Sequence, residues 1–164
     1  MLRDKHTQER ATYLALTGLF ITIFALFSSR RRQQSDVAKL ESRDLVMLGF
    51  ASYRLGHLIS FDKVTEPLRL PFTETKMDDF GAAMTVEARG EGVQRALGEL
   101  VSCPICSGTW AAAALVYGMN LFPGPTRVLT TIMGAIGMGE VLHSLTEALS
   151  WTATLARKQV GKSD

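Results

Sequence analysis

One uncharged run near the N-terminus limits the folds open to this chain more than any other feature. The run Ala11–Ser29, ATYLALTGLFITIFALFSS, holds 19 residues without a charged side chain. A helix of that length, rising about 1.5 Å per residue, matches a hydrocarbon core about 30 Å thick. Arg30, Arg31 and Arg32 follow the run and no A-x-A site is visible, which argues against a cleavable signal peptide. We therefore expect an uncleaved membrane anchor and an integral membrane protein.

The three arginines after this run also predict a contact with lipid. Basic residues beside a span attract anionic headgroups, and each contributes about 1 kcal/mol. Arg30, Arg31 and Arg32 are thus expected to hold the chain at the cytoplasmic leaflet. The formal net charge of the whole chain is only +2, which gives no sign of a nucleic-acid partner. The expected partners are membrane lipids and other subunits of a membrane complex.

Two further apolar runs predict a C-terminal helical hairpin. One covers about Pro104 to Phe122 and the other about Thr126 to Leu149. Pro123-Gly124-Pro125 lies between them, and proline and glycine interrupt helices. We therefore expect a hairpin over residues 104–149 that begins and ends on the same side of the membrane.

The segment from Asp44 to Phe61 decides the number of spans. It has a helical pattern and is nearly long enough to cross, but Arg54 and His57 lie on one of its faces. The distribution of basic residues favours three spans with this segment as an embedded or interfacial amphipathic helix. Its length and its small residues favour four spans. The expected fold is an all-α membrane bundle, with residues 1–43 as anchor and basic linker and residues 44–164 as a helical membrane domain. A polar loop is expected at residues 62–92.

Charged residues in or near the apolar segments predict two kinds of contact. Glu140 follows a long uncharged run, and an intramembrane carboxylate requires a partner. Arg54 is the available cation, so we expect an Arg54–Glu140 ion pair. A small transporter or pore is the alternative that Glu140 raises. The mixed charges of Asp62, Lys63, Glu66 and Arg69 form a separate cluster that predicts a docking surface for a partner. A lipid-headgroup contact through Lys63 and Arg69 and a solvated turn are the alternatives.

The two cysteines, in SCPICSGTW, have three interpretations. Cys103 and Cys106 at a helix start resemble a thiol-redox tetrapeptide, because a helix N-terminus stabilises a thiolate. If the hairpin folds in register, His143 and Glu147 reach the same depth, and the four side chains make a zinc site. Alternatively, the cysteines are small apolar residues that begin and pack a helix. The sequence leaves all three open.

A longer set of residues resembles a known family. The stretches YRLGHLISFDKVTEPLRLPF, ALGELVSCPICSGTWAAAALV and PTRVL are similar to bacterial membrane proteins grouped as domain of unknown function 1360. The resemblance covers about Leu45 to Leu145. It implies a bacterial cell-membrane protein, with some relatives associated with sporulation in Bacillus-type bacteria, and it brings no established activity. The N-terminal anchor lies outside the family's core pattern.

These observations favour a structural or accessory subunit of a membrane complex. The chain has no Walker loop, dinucleotide fingerprint, HExxH motif or Ser-His-Asp arrangement, so the sequence does not favour an enzyme. A membrane thiol-redox or metal-binding protein that uses the CPIC pair, with zinc as the possible metal, is one alternative. A small transporter or pore is another.

Overall fold

The computed structural model describes residues 2–31, 41–77 and 84–160, with side chains described over residues 7–29, 41–77, 85–155 and at 157. The helices are α1 (Leu2–Arg31), α2 (Ser42–Ser60), α3 (Glu66–Arg69), α4 (Val93–Ser102), α5 (Pro104–Leu121) and α6 (Pro123–Val160). A 3-10 turn covers Lys63–Thr65, and the strands are β1 (Thr73–Met77) and β2 (Met84–Ala88). The described chain is therefore mostly helical, as expected, but it is not all-α.

Helix α1 contains the uncharged run that was predicted to cross a membrane. Most of its apolar side chains are exposed, as in Leu14 at 74%. One side of the helix follows α5, where Phe20 meets Trp110 edge-on and Phe27 meets Tyr117. Because both pairs advance in the same direction, α1 runs parallel to α5.

Helix α2 is the central helix of the bundle, with α5 on one side and α6 on the other. Glycines bring the backbones into close contact on both sides. A Cβ added at Gly56 would collide with the carbonyl oxygen of Pro104 in α5, and one at Gly137 of α6 would collide with that of Phe50. Small residues permit this close approach of helices. The segment predicted as embedded or interfacial is thus packed along both arms of the C-terminal hairpin.

The hairpin itself turns more sharply than predicted. α5 ends at Leu121 and α6 begins at Pro123, so only Phe122 separates the two helices. Pro123 and Pro125 occupy the first turn of α6, where a helix needs no backbone N–H. The two arms touch near this turn, where Gly118 lies against Thr126. Farther from the turn α2 lies between them, with Leu48, Ala51, Leu115 and Met119 as its buried apolar contacts.

The polar segment predicted as a loop contains a small antiparallel sheet. β1 pairs with β2 in a register that places Thr73 opposite Ala88 and Met77 opposite Met84. Helix α4 packs on this sheet through Gly98, where an added Cβ would collide with Ala88 of β2 and with the carbonyl oxygen of Phe72, just before β1. The sheet and α4 form a cap at the end of the bundle where α2 ends and α5 begins.

Two described helices are long and apolar enough to cross a membrane, over Thr7–Ser29 and Pro123–Leu155. Together, α4 and α5 are also long and apolar enough to cross as one broken span, bent by 82° where they meet. The described helices therefore provide at most three candidate spans. α2 does not meet the criterion by itself. These helices fit association with a membrane, which agrees with the class predicted from the sequence.

Candidate functional site

A polar network lies where α2 ends, and Arg54 is at its centre. Arg54 Nη1 lies 3.1 Å from Glu140 Oε1 of α6, so the predicted ion pair is present. The same guanidinium donates to Asp62, with Nη1 3.3 Å from Oδ1. The Arg54 side chain is 16% exposed, against 30% for Asp62 and 37% for Glu140. One half-buried cation therefore joins α2, the segment after it and α6.

A second arginine closes the C-terminal end of α2. Arg69 is buried, and its guanidinium donates to the carbonyl oxygens of Asp62 at 2.6 Å and Phe61 at 3.2 Å. It also donates to the hydroxyl of Thr65 at 3.1 Å. The last carbonyls of a helix lack partners within the helix, and a basic side chain can satisfy them. Arg69 thus acts as a cap from outside the helix.

These contacts involve two of the four residues that were predicted to form a docking surface. The Asp62 carboxylate pairs with Arg54 and the Arg69 guanidinium donates to backbone carbonyls, so both charged groups have partners within the chain. Lys63 is exposed and Glu66 is partly buried. Of the cluster predicted from Asp62, Lys63, Glu66 and Arg69, two members therefore brace the turn after α2. Docking of a partner stays a prediction.

The cysteine pair lies at the elbow between α4 and α5. Cys103 is the N-cap of α5, and its Sγ accepts the backbone N–H of Cys106 at 3.3 Å. Both thiols are free; Cys106 is exposed and Cys103 is partly buried. Pro104 occupies the first helical position, where its missing N–H has no cost. The local sequence thus begins a helix and presents both sulfurs at its N-terminal end.

Hydrogen bonds across the elbow hold this joint in place. Ser107 Oγ donates to the carbonyl oxygen of Leu100 at 3.0 Å, which ties α5 back to α4. Ser60 Oγ, fully buried, donates to the carbonyl oxygen of Val101 at 2.7 Å and ties the end of α2 to the same place. These two serines were not predicted from the sequence. A single small polar residue within a helix gives little signal of a contact with another helix.

The four predicted zinc ligands do not come together. Among the residues that the structure describes, no group of three or more His, Cys, Asp or Glu side chains is placed to hold a metal ion. Cys106 and His143 are on different arms of the hairpin, and α2 lies between those arms. His143 and Glu147 lie on the part of α6 that extends past the bundle, where every described side chain from Leu142 to Leu155 is exposed. The predicted metal site was wrong because it assumed direct contact between α5 and α6.

The predicted lipid contact at the end of α1 falls beyond what the structure describes. Arg30 and Arg31 are the last residues of α1, but their side chains are outside the described set, and Arg32 is outside the described residues altogether. The contact with headgroups stays a prediction.

Contacts between α1 and α4 were also missed by the sequence analysis. Tyr13 donates to the carboxylate of Glu99, which also accepts from Arg95 Nε at 3.1 Å. Arg95 Nε lies 3.9 Å from Glu9 of α1. The N-terminal helix is thus fastened to α4 by polar groups, one turn before the cysteine elbow.

Comparison with known proteins places most of this bundle in one family. Residues 47–146 match the family described as "Protein of unknown function (DUF1360)". Sporulation protein YjcA of Bacillus subtilis (strain 168) is 31% identical over 104 residues, which cover 62% of this chain and 88% of that protein. UPF0713 protein YngL of the same organism is 31% identical over 111 residues, which cover 65% and 80%. No solved structure matches the chain.

The matched range begins in α2 and ends in α6. It therefore contains the Arg54 network and the cysteine elbow, whereas α1 lies outside it. The family resemblance noted in the sequence is confirmed over these residues. The chain belongs to the DUF1360 family.

Proposed function

We propose that this protein is a membrane-embedded dithiol protein that exchanges a disulfide with a partner protein through Cys103 and Cys106. The observation that carries the proposal is the position of the pair: both free thiols lie at the N-terminal end of α5, and Cys103 Sγ accepts the N–H of Cys106. Reactive cysteines lie at such helix starts because N–H groups and the helix dipole stabilise the thiolate.

We assign the two thiols different parts in the exchange, because Cys103 is the N-cap of α5 and its Sγ accepts the N–H of Cys106. The Cys103 thiolate attacks one sulfur of a partner disulfide, a mixed disulfide forms, and the partner's other sulfur leaves as a thiolate. The Cys106 thiolate then attacks Cys103 Sγ, forms the Cys103–Cys106 disulfide and releases the partner's second thiolate. The two cysteines release two protons and pass two electrons, which reduces the partner disulfide to two thiols. A protein dithiol of lower reduction potential restores the starting pair.

Contacts with the surrounding bundle hold the cysteine elbow in a fixed position. Ser60 and Ser107 tie the elbow to α2 and α4, and the contact of Gly56 with Pro104 fixes the start of α5 against α2. A fixed elbow keeps the two sulfurs within reach of each other in both redox states. The thiol alternative from the sequence therefore has a specific geometric basis, whereas zinc does not.

Redox titration of the purified full-length protein tests this proposal. The protein in detergent is equilibrated with reduced and oxidised glutathione at a series of ratios, and free thiols are counted with a maleimide reagent. We expect both thiols to disappear together at one potential. Cys106→Ser should instead accumulate a mixed disulfide with glutathione at Cys103, while Cys103→Ser should react more slowly. Thiols that titrate independently, with no disulfide within the chain, would contradict the proposal.

The accessory-subunit function is a second candidate, favoured by the free part of α6. Leu142, Leu145 and Leu149 form an apolar stripe on the extension, and each is more than half exposed. The proposed occupant of this stripe is an apolar helix of another membrane subunit. Transport has less support, because the carboxylate that suggested it, Glu140, is paired with Arg54.

Native electrophoresis of gently solubilised membranes tests the second candidate. Leu145→Glu with Leu149→Glu should shift the protein from a larger complex to a smaller species, because charge on the stripe prevents helix packing. Ser144→Glu with Ser150→Glu, on other faces of the same extension, provides the matched control and should leave migration unchanged. Equal migration of both variants and the unaltered chain would exclude this use of the stripe.

A further inference from the structure

A cleft lies at the end of the bundle opposite the cysteine elbow. It has a volume of about 320 Å³ and opens where α2 begins, α5 ends and α6 begins. Its lining combines two arginines, two threonines, one aspartate and two methionines: Arg43, Asp44, Met47, Met119, Arg127, Thr130 and Thr131. Nothing in the dithiol proposal uses this region.

The charge at the mouth of the cleft favours an anion. α2 and α6 both begin here, so the positive ends of two helix dipoles face the same place. Arg127 makes no ion pair with any residue in the described ranges, and Arg43 has only a loose one, 3.8 Å from an exposed Glu41. Asp44 is the carboxylate in the lining, and it accepts the N–H of Glu41 at 3.4 Å as part of a capping box. Its negative charge is thus directed to the start of α2.

A buried hydroxyl in the wall of the cleft lacks a partner. Thr130 is only 5% exposed, and its Oγ1 has no hydrogen-bond partner among the described residues. Its neighbour Thr131 satisfies its own hydroxyl by donating to the carbonyl oxygen of Arg127 at 2.8 Å. Buried polar groups are nearly always paired, so an unpaired hydroxyl in a cleft wall points to a bound group that completes it.

We propose that this cleft binds the phosphate of an anionic phospholipid headgroup. Arg43 and Arg127 supply the positive charge, Thr130 supplies a donor, and Met47 and Met119 supply the apolar wall along which an acyl chain leaves. Basic pockets between membrane helices bind lipid phosphates in this way. A free phosphate ion carries the same negative charge as the headgroup but would leave the apolar wall without a contact. We therefore assign the lipid as the ligand.

Thermal unfolding in neutral detergent tests the assignment with three probes: phosphatidylglycerol, phosphatidylcholine and inorganic phosphate. We expect phosphatidylglycerol to raise the Tm of the full-length protein more than either of the others. Arg127→Gln and Thr130→Val should each lower the affinity for phosphatidylglycerol about fivefold, close to the effect of one basic contact. Lys63→Gln, an exposed basic residue at the other end, is the control and should bind like the unaltered chain.

Three results would overturn the inference. If phosphatidylglycerol stabilises the Arg127→Gln and Thr130→Val variants as much as the unaltered protein, the lipid binds outside the cleft. Equal stabilisation by phosphatidylcholine removes the requirement for negative charge. If only inorganic phosphate stabilises the protein, and the same variants lose that effect, the ligand of the cleft is a free anion and not a lipid. Since Thr130→Val removes an unpaired hydroxyl with little change in shape, it is expected to fold and keeps the test informative if Arg127→Gln does not.

Discussion

Arg54 of α2 shares its guanidinium between Glu140 of α6 and Asp62 of the segment that follows α2. Glu140 is far from Arg54 and Asp62 in the sequence, and one cation joins the segments that carry the three residues. The carboxylates are only partly exposed, so each depends on Arg54 for its counter-charge. Removing the cation leaves both without it.

We expect Arg54→Met to lower the free energy of unfolding by about 2 kcal/mol, the typical worth of hydrogen bonds to a charged group. Glu140→Gln should cost less, because its oxygen still accepts from the guanidinium and Asp62 remains in place. Thermal unfolding followed by circular dichroism in detergent measures both. If Arg54→Met unfolds at the temperature of the unaltered protein, the network does not stabilise the bundle.

The glycine contacts of α2 predict opposite effects for two alanine substitutions in one helix. Gly56→Ala should destabilise the bundle by about 1 to 3 kcal/mol, because its Cβ would meet the backbone of Pro104 and Gly108. Gly49→Ala is the matched control, since its added Cβ would have no atom within 4 Å beyond its own stretch of the helix. It should stabilise the helix by about 0.5 to 1 kcal/mol. Unfolding temperatures that move in the same direction would contradict this packing.

The cap on α2 predicts that lysine cannot replace Arg69 without a loss of stability. Arg69→Lys should destabilise the protein by about 1 to 2 kcal/mol, because an ammonium group cannot reproduce the two-pronged donation to Phe61 and Asp62. Lys63→Arg, at an exposed position in the same segment, should have almost no effect. Denaturant unfolding of the two variants provides the measurement, and similar midpoints would rule out a capping role.

The parallel placement of α1 on α5 predicts a specific cross-link. In a Cys103→Ser, Cys106→Ser background, Phe27→Cys and Tyr117→Cys should join rapidly with a short bifunctional thiol reagent, since the two rings have centroids 4.4 Å apart. Leu26→Cys with Tyr117→Cys is the control, because Leu26 is 58% exposed and points to another side of α1. A shift in electrophoretic mobility on cross-linking gives the yield. Similar yields for the two pairs would place α1 elsewhere.

The sequence predicted the features that depend on composition and local spacing. The uncharged run before Arg30 lies within one helix, and the two apolar runs around Phe122 fold as antiparallel helices. The Arg54–Glu140 pair was also predicted, because a carboxylate in an apolar helix has few partners to choose from. Such features depend on the local sequence of one helix, or on an ion pair for which the chain offers few candidate partners.

Features decided by competition between segments were not predicted. Gly134 and Gly137 could pack against either α5 or α2, and only the three-dimensional arrangement shows that they face Met47 and Phe50 of α2. That choice separates the cysteines from His143. The small sheet was not predicted, because its strands carry the charged residues Glu74, Lys76 and Glu87, and a polar sequence of this kind is typical of a solvated loop.

The length of α6 has a consequence for the reach of the molecule. Its 38 residues make a rod about 57 Å long, nearly twice the thickness of a hydrocarbon core. A rod of that length that crosses a bilayer emerges from it by several turns at any ordinary tilt. The excess length places the ends of α6 beyond the hydrocarbon, in the headgroup layers or in the water on either side.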